Sequence, residues 1–208
     1  MPNWRYVEEP NDLIDISSRV YSPLTMGYGY FNFHKNEGVI AKRNISFLSF
    51  EINFPVMMNR RITRDEIFRF NQFLPIGTVL DGKEVEFKGY QFSALAQLDL
   101  IHAKWITLGF NYGFSFGSRK MISLYNGERY KIKNPFTGLE SGLDFRFNVG
   151  RRAGLTFGGF AHYMLDISKN RWINKGAYPF TLPERTKFTG WQIGACIGFI
   201  LFEDAIID

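Results

Sequence analysis

The sequence holds one cysteine, three histidines and no uncharged run longer than 15 residues. The single cysteine, Cys196, excludes an intramolecular disulfide framework and a cysteine-based zinc site. The histidines, His34, His102 and His162, are too widely spread to suggest a metal cluster. The uncharged run Phe188 to Phe202 falls short of the roughly 18–20 apolar residues that a spanning helix needs. There is no repeat, linker or low-complexity tract, so residues 1–208 are read as a single domain. No cofactor is expected: glycine spacings such as Gly27 and Gly29 follow strand alternation rather than a phosphate loop.

What the chain has is aromatic residues, 17% of the total with 22 Phe, alongside 22% charged residues. A disordered chain is poor in aromatics, so the sequence is folded. It is too aromatic for an ordinary soluble surface and too interrupted for a spanning helix.

Period-2 alternation resolves that tension. After Trp105, the residues Ile106, Leu108, Phe110, Tyr112, Phe114 and Phe116 alternate with Thr107, Gly109, Asn111, Gly113, Ser115 and Gly117. That run of 12 residues exceeds the usual soluble strand of about 5–6 and suits a tilted spanning strand of about 9–11. Similar patterns cover 47–54, 90–100, 139–149, 155–165 and 191–201, which makes six strands. Met26–His34 reads as a seventh and Leu13–Tyr21 as an eighth, giving a barrel over about 13–202. The predicted fold is all-β: a transmembrane, antiparallel, up-and-down barrel of eight strands.

The alternative is a soluble lipocalin-like binding barrel, apolar inside and polar outside. Its outer face would carry about 25–35% charged residues, whereas the polar face here is built from Gly109, Asn111, Gly113 and Ser115. The apolar stripe is therefore read as facing lipid. It includes Ile106, Leu108, Phe110, Tyr112, Phe114, Phe145, Phe147, Phe157, Trp191, Ile193 and Phe199.

The links between strands alternate in length. Lys35–Lys42, Ile101–Lys104 and Gly150–Ala153 are the shorter set; Val56–Lys88, Ser118–Pro135 and Ile167–Lys187 are the longer set. Short periplasmic turns and longer external loops are the expected asymmetry of a spanning barrel. The eighth strand would place both termini on the short-turn side. Thr63 to Glu66 fits a helix capping box before Ile67, Phe68, Phe70 and Phe73, so a short helix is predicted in the first long loop. Asp81-Gly82 reads as a hairpin turn.

The net charge of +5 is unevenly placed: the three long links carry +1, +4 and +4, against −4 elsewhere. Arg119, Lys120, Arg129, Lys131, Lys133, Lys169, Arg171, Lys175, Arg185 and Lys187 form a candidate collar for outer-leaflet lipid phosphate, such as that of lipopolysaccharide. Without a basic recognition element, nucleic acid is not an expected partner. Glu51, Asp99, Glu140, Asp144, Arg146 and His162, with Asp15 and Arg19, fall on the polar parity and form a candidate ion network in the lumen. Ion pairing fits these residues better than acid–base chemistry, because no nucleophile is placed beside His162.

The alternating strands and link lengths resemble the small outer-membrane barrels of Gram-negative bacteria, of the OmpA/OmpX-like or PorT-like kind. The Phe- and Asn-rich style resembles proteins of the Bacteroidota. The resemblance implies location in the outer membrane. It also implies a removed or upstream signal peptide, because Met1 to Pro10 has no apolar region. The last strand ends at Phe202, with Glu203–Asp208 beyond it, which departs from the common aromatic terminus. The expected role is non-enzymatic, with a narrow or closed lumen: a structural or accessory subunit of an envelope complex for export, uptake or barrel assembly. The enzymatic alternative is a barrel that modifies outer-leaflet lipid.

Overall fold

The computed structural model describes residues 20–33, 44–58, 61–80, 83–103, 105–125, 128–150, 153–169, 173 and 187–202. In chain order the strands are β1 (Val20–Phe33), β2 (Asn44–Met58), β3 (Arg61–Leu80), β4 (Lys83–Ala103), β5 (Ile106–Tyr125), β6 (Glu128–Gly150), β7 (Ala153–Asp166) and β8 (Gly190–Phe202). Each pairs antiparallel with its chain neighbours, and β1 closes on β8 with Val20 opposite Phe202 and Phe33 opposite Gly190. Closure satisfies the backbone around the whole ring and leaves no sheet edge within it.

The segment predicted as a helix is part of strand β3, which brings the count to eight. In β3, Ile67, Arg69, Asn71 and Phe73 point into the ring, while Phe68 faces outward. The helical signal comes from Ile67 and Phe73, apolar residues on the inward parity that fit helical spacing together with Phe68 and Phe70. Inside the ring Arg69 lies directly across from Glu51 of β2. Pairing on both sides overrides the local capping signal. Leu13–Tyr21 is therefore not a separate strand of the ring: Val20 and Tyr21 begin β1, and residues 13–19 lie outside the described residues.

With β3 in place, the link containing Lys35–Lys42 leaves from the end opposite the termini, together with 81–82, 126–127 and 167–189. The links 59–60, 104–105 and 151–152 share the termini's end. There Gly150, at φ +151°, takes a backbone conformation that favours glycine. Much of Val56–Lys88 and Ser118–Pro135 is strand rather than loop; β3 and β4 pair up to Leu80 opposite Lys83, and the predicted Asp81-Gly82 turn lies outside the described residues.

Strands β3 to β6 have 20–23 residues, whereas the other four have 13–15. β2 pairs with β3 only up to Phe73, and β7 pairs with β6 only from Gly138. The upper parts of these four strands therefore rise beyond the ring as a twisted extension, touched at Lys133 by a bridge from Ile173.

The interior has two levels. The lower is polar and charged. The upper is an aromatic cluster that includes Phe31, Phe33, Phe47, Phe73, Phe136, Phe160 and Phe188.

Candidate functional site

The lower lumen is built around Arg69, whose guanidinium reaches three carboxylates. It donates to Glu51 Oε2 from Nε at 3.1 Å and Nη2 at 2.9 Å, to Glu140 Oε1 at 3.1 Å and to Asp144 Oδ2 at 3.3 Å. Arg146 donates to Asp144 Oδ2 at 3.1 Å and to Glu51. His162 sits between the acids, with Nδ1 2.8 Å from Glu140 Oε1 and Nε2 2.6 Å from Asp144 Oδ1. Its Nδ1 also lies 2.6 Å from Arg69 Nη1.

The strand pattern produces this junction. Glu140 and Asp144 flank Gly142 on one face of β6, and Gly142 is paired with His162 of β7. A Cβ on Gly142 would collide with the His162 Cα and ring and the Ala161 carbonyl. The missing side chain lets one imidazole reach both acids.

A neutral layer satisfies the remaining acceptors. Glu140 Oε2 accepts from Gln91 at 2.9 Å, Ser93 at 2.7 Å and Ser115. Gln91 accepts from Gln192 at 3.0 Å, and Gln192 accepts from Asn71 at 3.0 Å. These groups are all buried, so the hydrogen bonds among them offset the cost of removing them from water.

The upper lumen is stoppered by Phe188, stacked on Phe31 at 4.3 Å and beneath the Arg119 guanidinium at 4.5 Å. Asp166 anchors this stopper. It accepts from the Phe188 N–H at 2.8 Å, the Ser168 N–H at 3.0 Å, the Ser168 hydroxyl at 2.6 Å and Arg119 at 3.2 Å. Phe188→Ala is expected to destabilise the barrel by about 3–5 kcal/mol, measured as a lower urea midpoint of the detergent-refolded protein.

Two expected site residues stand elsewhere. Asp99 stands lower than the Arg69 cluster: it is exposed near the termini's end, accepting from Gln97 at 2.8 Å, because parity sets a residue's face but not its height. A dent there, lined by Asp65, Asp99, Arg146 and Asn148 among others, holds about 10 Å³, room for about one water. Arg119 does not join an outer collar. It continues the inward parity of Ser115 and Gly117 and is fully buried. Asp15, Arg19, Arg171, Lys175 and Arg185 lie outside the described residues, while Lys169 and Lys187 are exposed. Arg69 is the central lumen residue that the sequence pattern hid.

The ring's outer face carries the apolar parity. Ile106, Leu108, Phe110, Tyr112, Phe114, Phe145, Phe147, Phe157, Trp191, Ile193 and Phe199 all point outward, with Phe114 62% exposed. Tyr28, Tyr30, Tyr90, Tyr163 and Trp191 cluster towards the end opposite the termini. Above Tyr90, burial of its stem and the neighbouring ammonium groups of Lys131, Lys133 and Lys88 push the Lys120 amine below the ordinary lysine value. Among the described residues, no group of three His, Cys, Asp or Glu side chains is arranged to hold a metal ion. The imidazole of His162 is fully buried, and its two nitrogens face Arg69, Glu140, Asp144 and Asn111.

No family model and no curated protein matches the chain. Among solved structures, it is similar to Ail, the attachment invasion locus protein of Yersinia pestis, at 16% identity. The match covers 89% of this chain and 98% of Ail, with a TM-score of 0.48. Ail in complex with the heparin analogue sucrose octasulfate matches at 17% identity over the same shares, again with a TM-score of 0.48. Neisserial surface protein A matches at 11% identity over 89% of this chain and 97% of that one, with a TM-score of 0.45.

Proposed function

We propose that the chain is a non-enzymatic barrel of the bacterial outer membrane, a single domain with a closed lumen. One observation carries the reading: the ring is inside out relative to a soluble barrel. Phe, Leu, Ile and Trp side chains cover its outer face, and the buried interior holds two arginines, three carboxylates and a histidine in one cluster. A contiguous apolar belt far exceeds the few hundred Å² that soluble monomers expose. An eight-stranded ring has an interior just wide enough for side chains, and here the ion network and the Phe188 stopper fill it.

The role is structural or accessory, as a subunit of an envelope complex. The extension of β3 to β6 beyond the ring supports this reading, because it offers partners a surface above the membrane. A detergent pull-down from the native envelope tests it: a stoichiometric co-purifying protein supports a subunit, and a barrel recovered alone overturns that part.

The membrane reading predicts that the protein extracts only with detergent and migrates faster unheated than boiled. Recovery in the aqueous fraction without detergent would reject it. Planar-bilayer recording is expected to show no stable conductance from the pure protein; large, steady openings would reject the closed lumen.

A further inference from the structure

The outer face of β4 to β6 can be followed row by row through the strand register. Ala94, Phe114 and Leu139 form one row, and Phe92, Phe116 and Thr137 the next. Tyr90, Ser118 and Pro135 follow, and the row above them is Lys88, Lys120 and Lys133. Three lysines therefore stand directly side by side across three strands, immediately above the apolar belt. The Lys120 ammonium lies 5.8 Å from the centre of the Tyr90 ring below it. Lys131 follows one row higher, opposite Ile122, and Arg129 opposite Leu124.

Like charges directly opposed across strands are destabilising. Glu86 lies 2.6 Å from Lys88, but both side chains of that pair are substantially solvated, so it offsets little of this repulsion.

A groove of about 840 Å³ continues upward on the extension, with Val79, Ile122 and Leu124 among its lining and Glu84, Glu86 and Arg129 beside them. Its carboxylates repel phosphate, which confines an anion to the lysine row below.

We propose that Lys88, Lys120 and Lys133 form a discrete site for the phosphate of an outer-leaflet lipid, with Lys131 as a flanking contact. The inference rests on the membrane reading and narrows the basic collar to one ladder. Height decides for a lipid: the row sits directly above the tyrosine level, where headgroups lie, rather than at the tip of the extension. Three lysines side by side on neighbouring strands supply adjacent donors for phosphate oxygens, and the groove has room for the sugar that such a headgroup carries.

The test uses the full chain refolded in phosphatidylcholine nanodiscs and titrated with diphosphoryl lipid A or fully dephosphorylated lipid A. Wild type is expected to bind the diphosphoryl form at least tenfold more tightly. K88Q/K120Q/K133Q is expected to lose at least tenfold in affinity while keeping its heat-dependent gel shift, and K120Q alone to lose about threefold. K169Q/K187Q is expected to bind like wild type. Equal affinity for the two lipid forms, or an unaffected triple variant, overturns the site. Sucrose octasulfate is a further arm: if it binds the ladder while lipid A does not, the site takes a soluble polyanion and the lipid assignment is rejected. Failure of the membrane reading is separable, because it shows as detergent-free solubility before any lipid is added.

Discussion

Replacing Arg69 with Met is expected to abolish or nearly abolish folding of the barrel. Removing one partner of a buried ion pair costs about 3–5 kcal/mol, and Arg69 serves three carboxylates at once, with its side chain 1% exposed. Arg146 still reaches Glu51 and Asp144, but Glu140 keeps only His162 and neutral donors. The measurement is the folded fraction after refolding into detergent, read from gel mobility across a urea series. Adding Glu140→Gln to Arg69→Met is expected to recover part of the loss, because the acid left without its cation is then neutral. Non-additivity of this kind marks groups within one network. Equal stability of wild type and the single variant would mean that the lumen charges are solvated rather than mutually paired.

The ion network also shows how far a sequence can be read and where it stops. Glu51, Glu140, Asp144, Arg146 and His162 were legible because each occupies the small or polar parity of a clean strand. Arg69 was not, because its neighbours Ile67, Phe68, Phe70 and Phe73 satisfy helical spacing as well as strand spacing. Only its pairing with β2 and β4 decides between them. The imbalance itself is a usable signal: four candidate acids, Glu51, Asp99, Glu140 and Asp144, against Arg146 and His162 call for another cation. Height is invisible to parity: Asp99 shares the polar parity of Asp144 yet stands near the rim. Register is invisible too. Lys88, Lys120 and Lys133 are far apart in sequence and become one row only through the cross-strand pairing. Arg119 falls in the Ser118–Pro135 link by charge pattern, but β5 continues as strand past the apolar belt, and the parity of Ser115 carried on to residue 119 points it inward.

Leu143→Arg addresses the environment of the outer face and is the largest expected effect outside the lumen. Leu143 lies on the outer face of β6, opposite Phe110 and Ala161, midway along the apolar part of the strand, and is 44% exposed. On a water-facing surface such a change stays within about 0.5 kcal/mol. At the midplane of a bilayer an arginine on the lipid face of a barrel costs about 2–4 kcal/mol, and the cost falls towards the interfaces. A depth series separates the two environments. Thr137→Arg, near the upper boundary of the belt, is expected to cost about 0–1 kcal/mol by the same dependence. The experiment compares urea midpoints of the two variants refolded into phosphatidylcholine vesicles. A penalty that peaks at Leu143 and fades at Thr137 identifies lipid as the solvent of this face. Two small, equal penalties identify water and would overturn the outer-membrane assignment, and with it the lipid-phosphate site.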